Sequence, residues 1–456
     1  MMKYRFVYLM ILMVGLYNTP ALAQDCGCDH VVEASKNYIR ASDMPAVKPG
    51  DVVCIRAGVR GRLVFKEFQG TKDKPIIFKN CGGQVIFENT ERAGTFNFEN
   101  CRFFKVTGTG SPEHKYGFLI RKATKGTAMY VTETDFELDH IEIASAGFAG
   151  IMAKMDPNCN NTKYHQGNFV MDNVSIHDNY IHHTVGEGLY IGHTWYFGKP
   201  SDCGKLYPHS VENLRVYNNI TEDTGADGIQ ISAATKNVEV FNNTIRRYGA
   251  NPFKPVQVNG LQIGGGSTGK YYNNLIIDGG GMGIQCLGMG DVYMYNNLIV
   301  RAGVDGIFID ERGDVLEGKA FHTHNNTIVA PKRDAIRMYS RNTEGSTFIN
   351  NLLVAPGSIE KNYYSKNQYI YIIDDKKVDY IQHNNLFIPT IEEAMFMDAA
   401  ADDYKLDPQS PCIDKGKPLP HFGFDFDKNS RPQGASFDVG AFEYLALPPL
   451  QPGGTR

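Results

Sequence analysis

Glu187 and Asp227 each stand one residue before a glycine that opens a short apolar run, Gly188-Leu189-Tyr190-Ile191 and Gly228-Ile229-Gln230-Ile231. Two carboxyls at equivalent places in successive repeats suit two kinds of chemistry. They can share a hard cation such as Ca2+, which takes carboxylate oxygens. They can also serve as a glycosidase pair, about 5–5.5 Å apart in retaining enzymes and about 6.5–9.5 Å apart in inverting ones. Protonatable and aromatic groups crowd the same stretch: His177, His182 and His183 precede Glu187, and Tyr190, His193, Trp195 and Tyr196 follow it. Tyr190, His193 or Lys154 would supply a base for removing a proton α to a carboxylate. Trp195, the only tryptophan in the chain, and Tyr196 would offer apolar faces to a sugar. Gln230, Gln262, Gln285 and Arg337 recur at the outward position of later repeats, where an amide ladder is the structural alternative to substrate binding. A second charged spot, Asp310-Glu311-Arg312, directly follows an apolar run and reads as a turn salt bridge or a further sugar contact. Asp425-x-Asp427-x-Asn429 opens like a calcium loop but lacks the glycine and final glutamate of an EF-hand.

The elements that must carry these residues are repeats. The acid–glycine–apolar phrase recurs as GFAGIMAK, GEGLYIG, GADGIQIS, VNGLQIG, GMGIQCLG, GVDGIFIDERGD and RDAIRMYS. It alternates with asparagine pairs ending at Asn219, Asn243, Asn274, Asn297, Asn326, Asn351 and Asn385, with Asn179 as the first member. The period is about 29 residues, inside the 20–50 range of solenoids and propellers. Each period holds short alternating runs and no helical pattern, too few for a propeller blade. The expected fold is an all-β solenoid of two or three short strands per coil. Side chains alternate faces along a strand, so Ile229, Ile263, Ile284 and Ile307 are expected in one interior column. Asparagine tolerates left-handed backbone, and stacked asparagines would line a corner. The Gly-x-I glycines would supply either positive φ or tight geometry.

Lys3 and Arg5, an apolar stretch from Phe6 to Leu16 and the Ala21-Leu22-Ala23 cleavage signal mark residues 1–23 as a secretory signal peptide. The expected localisation is secreted or periplasmic. Gln24 and Asp25 before Cys26 argue against lipidation, and no other segment reads as a membrane span. The net charge of -4 and the lack of a basic run exclude a nucleic-acid footprint, so an acidic glycan would need a local basic site. All nine cysteines lie in the mature chain, in a compartment that permits disulfides. Cys159 and Cys203 sit in two polar insertions one repeat apart, 155–168 and 193–210, and are expected to pair. Cys54, Cys81, Cys101 and Cys286 fall in strand-like runs and read as buried thiols.

PGDVV followed by KPIIF, then FFKVTGTG and the Asn and Gly-x-I repeats, resembles secreted bacterial right-handed parallel β-helix proteins over roughly residues 45–390. That superfamily holds polysaccharide lyases, especially family 6, pectinolytic enzymes, alginate epimerases and several glycoside hydrolases. The resemblance implies a single-stranded right-handed parallel β-helix over 50–390, with loop insertions and an N-terminal cap segment at 24–49. SPCIDKG and RPQGASFDVGAFEY resemble a recurring terminal segment, expected within a C-terminal cap at 391–446 that closes the last coil, before a flexible tail at 447–456. The family-6 set of Lys base, Arg acid and calcium ligands cannot be placed residue by residue. The paired aspartates, Gly-His-Gly and Arg-x-Lys of pectin hydrolases are absent too, and Asp156-Pro157-Asn158 is a poor match to the epimerase Asp-Pro-His. Three functions stay open: a lyase cleaving an acidic, uronate-containing glycan by β-elimination, a glycoside hydrolase with paired carboxylates, and a non-catalytic glycan-binding or surface protein. The partner in each is a polysaccharide or oligosaccharide. The site is expected on the outer face of the Gly-x-I strands, where the coils of Met152, Tyr190 and Gln230 meet the two insertions.

Overall fold

Each Gly-x-I phrase forms a three-residue strand whose first and third side chains are buried, as at Leu189–Ile191, Ile229–Ile231 and Ile307–Ile309. Among the described residues, twelve strands of three or four residues, one per coil, stack in parallel from Tyr38–Arg40 to Ile370–Ile372. Other strands of the same coils build a 23-stranded sheet, and together the two sheets form a parallel β-helix. The computed structural model describes residues 26–446 apart from 255, 311–318, 342, 358–368 and 374–377. The expected signal peptide, the tail 447–456, Glu311 and Arg312 lie outside the described residues. Among those described, no helix is long and apolar enough to cross a membrane.

The interior column differs from expectation by one register. Ile229 stacks on Leu261, Ile284 and Ile307, whereas Ile263 stacks on Ile231, Cys286 and Ile309. Both columns are buried, but Ile263 is the third residue after its glycine and belongs to the second. The glycines resolve in favour of tight geometry. A Cβ on Gly228 would lie 2.3 Å from Ile245 Cγ2, and one on Gly283 would lie 2.4 Å from Ile299 Cγ2. Positive φ falls instead on the first asparagine of each pair, from 50° at Asn325 to 58° at Asn350.

The second asparagine of each pair forms the ladder. From Asn179 through Asn219, Asn243, Asn274, Asn297, Asn326 and Asn351 to Asn385, every Nδ2 donates to the next Oδ1 at 2.9–3.1 Å. Each amide also reaches backbone groups, so the buried corner is satisfied along its length.

The cysteine expectations divide. Cys159 and Cys203 are bonded, with a Cα separation of 5.9 Å. Cys54 and Cys81 are not thiols, because they pair with Cys28 and Cys26 and staple the N-terminal segment to the opening coils. Cys101 and Cys286 are free and buried. That N-terminal segment also contributes strands: His30–Val32 and Tyr38–Arg40 pair in parallel with the next coil.

The C-terminal segment does not close the last coil as expected. It runs back along the outside of the solenoid. Asn273, Asn296, Asn350 and Asn384 donate their side-chain amides to carbonyls of Phe426, Phe424, Lys417 and Lys415. Beneath it, Leu298, Val300, Val329, Leu352 and Val354 pack with Tyr404, Leu406, Val439 and Ala441 into a second apolar core. Those strands carry aliphatic residues on their outer faces, and burial of such side chains stabilises by about 1.5–3 kcal/mol each.

Candidate functional site

The outer face of the twelve-strand sheet carries Met152, Tyr190, Gln230, Gln262, Gln285, Phe308 and Arg337 in register. Loops rise over it in the middle coils and enclose a cleft of about 600 Å³. Its floor includes Glu187, Tyr190, Gln262, Gln285 and Leu287. One wall is the disulfide-bearing insertion, presenting Thr194, Trp195, Phe197 and Lys205, and the other is formed by Phe148, Phe253, Lys254, Val256 and Gln257.

Glu187 lines this cleft although its residue surface is almost wholly covered. Its Oε1 accepts from Gln257 Nε2 at 3.2 Å, while Oε2 meets no partner. Burial raises its pKa above the ordinary carboxylate value. Asp227, at the same corner of the next coil, lies behind the cleft surface. Its Oδ1 accepts from the Asn259 backbone N–H at 2.7 Å and from Asn259 Nδ2 at 3.1 Å, and Oδ2 is unpaired. Burial pushes this carboxyl up to about 8, and the charge of Glu187 adds to the effect. Further along the same corner, Asp305 and Asp334 are equally buried but neutralised by arginines: Arg333 is 2.5 Å from Asp305 and Arg337 is 2.5 Å from Asp334. Glu187 and Asp227 have no such ion pair among the described residues.

The remaining expected site residues divide. Tyr190 faces the cleft, its hydroxyl 2.6 Å from Thr194 Oγ1, and burial raises its pKa so that it keeps its proton. Trp195 is 54% exposed on the wall. Lys154, expected as a candidate base, is buried, 2.6 Å from Asp156, with its ammonium over the Tyr190 ring. His193 has both ring nitrogens engaged: Nε2 with Asp156 at 3.0 Å, and Nδ1 accepting from the Trp195 backbone N–H at 3.1 Å. Hydrogen bonds from these two side chains hold the Asp156 carboxyl far below its ordinary value, with His193 the larger influence. The Lys154–Asp156–His193 group therefore sets the loop that presents Trp195, and both side chains are committed to Asp156. Tyr196 packs over Gly266, where a Cβ would come within 2.3 Å of its ring, and supports the wall from behind. Gln230 is fully buried and donates to Thr194 Oγ1 at 2.9 Å.

Arg337, expected as a sugar contact, is instead enclosed, bound to Asp334 and lying over the Tyr371 ring at 4.4 Å. Asp310 donates its backbone N–H to Cys286 O at 2.9 Å and is not among the residues lining the cleft. The histidine cluster disperses, because His177 and His182 project from the larger sheet to Glu137 and Glu142. Sequence reasoning missed the second wall. Its signal was the spacing: 31 residues separate Asn243 from Asn274, against 24 and 23 for the flanking pairs. The extra residues are the Pro252–Gln257 segment.

The Asp227 carboxyl makes folding proton-linked. Its contribution to stability is intact below its ordinary value of 3.8, where folded and unfolded states are both protonated, and is lost as pH rises toward about 8. Asp227→Asn keeps the acceptor for Asn259 and removes the titration. The variant is expected to gain stability relative to the parent by a few kcal/mol between pH 4 and pH 8. Thermal melts across that range read the difference, and a pH-independent offset would contradict the assignment.

A family model described as the right handed beta helix region matches residues 170–353. No curated protein matches the sequence. Among solved structures, pectate lyase Pel9A aligns at 13% identity over 92% of this chain and 97% of its own, with a TM-score of 0.47. A GH136 lacto-N-biosidase from Eubacterium ramulus aligns at 11% identity over 79% of this chain and 68% of its own, with a TM-score of 0.49. A PL6 family polysaccharide lyase from Pseudopedobacter saltans aligns at 14% identity over 90% and 100%, with a TM-score of 0.43. In fold, the chain is a right-handed parallel β-helix protein.

Proposed function

We propose that the protein is a glycan-cleaving enzyme in which Glu187 transfers the proton. The observation that carries this reading is the contrast along one corner column. Asp305 and Asp334 are closed by arginines, whereas Glu187 has no ion-pair partner among the described residues and lines a walled, aromatic-lined cleft. A carboxyl whose pKa is raised by burial suits a group that must both hold and accept a proton.

The first chemistry is β-elimination of a uronate. Lys205 and Lys254 stand on opposite walls without a carboxylate partner among the described residues, and would neutralise the substrate carboxylate. The ionised Glu187 takes the proton α to that carboxylate. The C–O bond at the β carbon breaks, its leaving oxygen takes the Tyr190 proton, and a carbon–carbon double bond forms. Burial, which keeps Tyr190 protonated, supports its role as donor. The second chemistry is hydrolysis with Glu187 as acid, favoured by the burial that raises its pKa. Calcium, expected from the same two carboxyls, would have to displace a proton held by burial.

A panel of acidic and neutral polysaccharides, followed both by the absorbance of unsaturated uronate and by new reducing ends, tests the reading. Unsaturated product supports elimination, and reducing ends without it support hydrolysis. Neither signal on any glycan overturns the enzyme. A chelator arm assigns calcium if activity falls and returns with Ca2+.

A further inference from the structure

Gln262 is only 5% exposed, lines the cleft, and has no hydrogen-bond partner for either end of its amide among the described residues. Its neighbour in the next coil, Gln285, accepts from Asn259 Nδ2 at 3.0 Å through Oε1, which leaves its own NH2 turned to the cleft. These two amides therefore offer one acceptor and several N–H donors, and no charge. Leu287, Val256 and Phe197 line the same cleft with apolar surface.

We propose that Gln262 and Gln285 form a subsite for an N-acylated sugar unit. This rests on the reading of the cleft as a glycan-cleaving site. An acylamino group is the complement of what the floor presents. Its carbonyl takes N–H from Gln285, its N–H gives to Gln262 Oε1, and its methyl meets the apolar lining. A hydroxyl would leave that apolar surface without a counterpart. A carboxylate would face Gln262 Oε1 on a floor whose only ionisable groups are Glu187 and Tyr190. By register Gln262 lies two coils from Tyr190, roughly 10 Å at the coil spacing. The acylated unit thus sits beside the bond that is cleaved, and the chain runs along the solenoid axis.

The test uses the full chain carrying Glu187→Gln, titrated calorimetrically with oligosaccharide pairs that differ only in acetamido or hydroxyl at C2, in gluco and galacto series, together with oligogalacturonate. At least one acetamido member is expected to bind about tenfold tighter than its hydroxyl twin. Gln262→Leu is expected to erase that preference while leaving the melting temperature unchanged, and Gln262→Asn to restore part of it. Equal binding of the twins, tighter binding of oligogalacturonate, no binding of any probe, or a preference that survives Gln262→Leu would overturn the subsite. Turnover of a glycan without acylamino groups that still depends on Glu187 would overturn the subsite alone and leave the enzyme reading standing.

Discussion

Glu187→Gln is expected to slow glycan cleavage by about 10²–10⁴-fold, the usual contribution of a positioned acid or base. The substitution preserves an acceptor for Gln257 and removes a buried ionisable group, so the fold should melt no lower than the parent. The pH profile separates the two chemistries. With Glu187 as base, kcat/KM of the parent falls as pH drops through its raised pKa. With Glu187 as acid, kcat/KM falls as pH climbs through the same value. Single-turnover rates on the glycan identified by the panel provide the measurement, and parental activity in the variant would remove Glu187 from the mechanism.

The second large effect concerns the corner ladder. Asn297 is fully buried; its Oδ1 accepts from both Asn274 N and Nδ2 at 3.0 Å, and its Nδ2 donates to Tyr271 O and Asn326 Oδ1 at 3.0 Å. Asn297→Ala strands the Asn274 backbone N–H and takes one partner each from Asn274 Nδ2, Tyr271 O and Asn326 Oδ1. At about 1–3 kcal/mol per unsatisfied buried group, the loss should reach about 3–5 kcal/mol. Asn297→Asp should be no better, because it retains the acceptor but places a charge in the corner. Urea unfolding monitored by circular dichroism reads both, and a loss below about 1 kcal/mol would show that the ladder relaxes around a gap.

The solenoid was legible because its signals are local and repeated. Asn218-Asn219 and its counterparts announce a left-handed residue followed by a ladder rung, and backbone sterics make that reading the same in every coil. The Ile263 register error arose from treating the first and third residues after glycine as one column. Both are interior, so hydrophobicity cannot tell them apart. Glu187, Tyr190 and Trp195 were legible as one site because a corner acid and an insertion meet within a single repeat. Gln257 and Phe253 were not, since they reach the cleft around Glu187 through a loop of ordinary composition from a later coil. Lys154 and His193 were misread for a different reason. Their pairing with Asp156 depends on how the 155–168 insertion folds back, and no periodicity encodes that.

A rod of coils is a one-dimensional object, in which each rung feels only its neighbours and melting can start at a free end. The lateral C-terminal strand of chain breaks that rule here. It touches rungs from Asn273 to Asn384 at once, so the final rung cannot peel away alone without releasing a strap that also holds rungs far from it. The aliphatic flank of the later coils is covered only once residues 404–441 have docked on it, whereas the opening coils are held by Cys26–Cys81 and Cys28–Cys54 within their own stretch of chain.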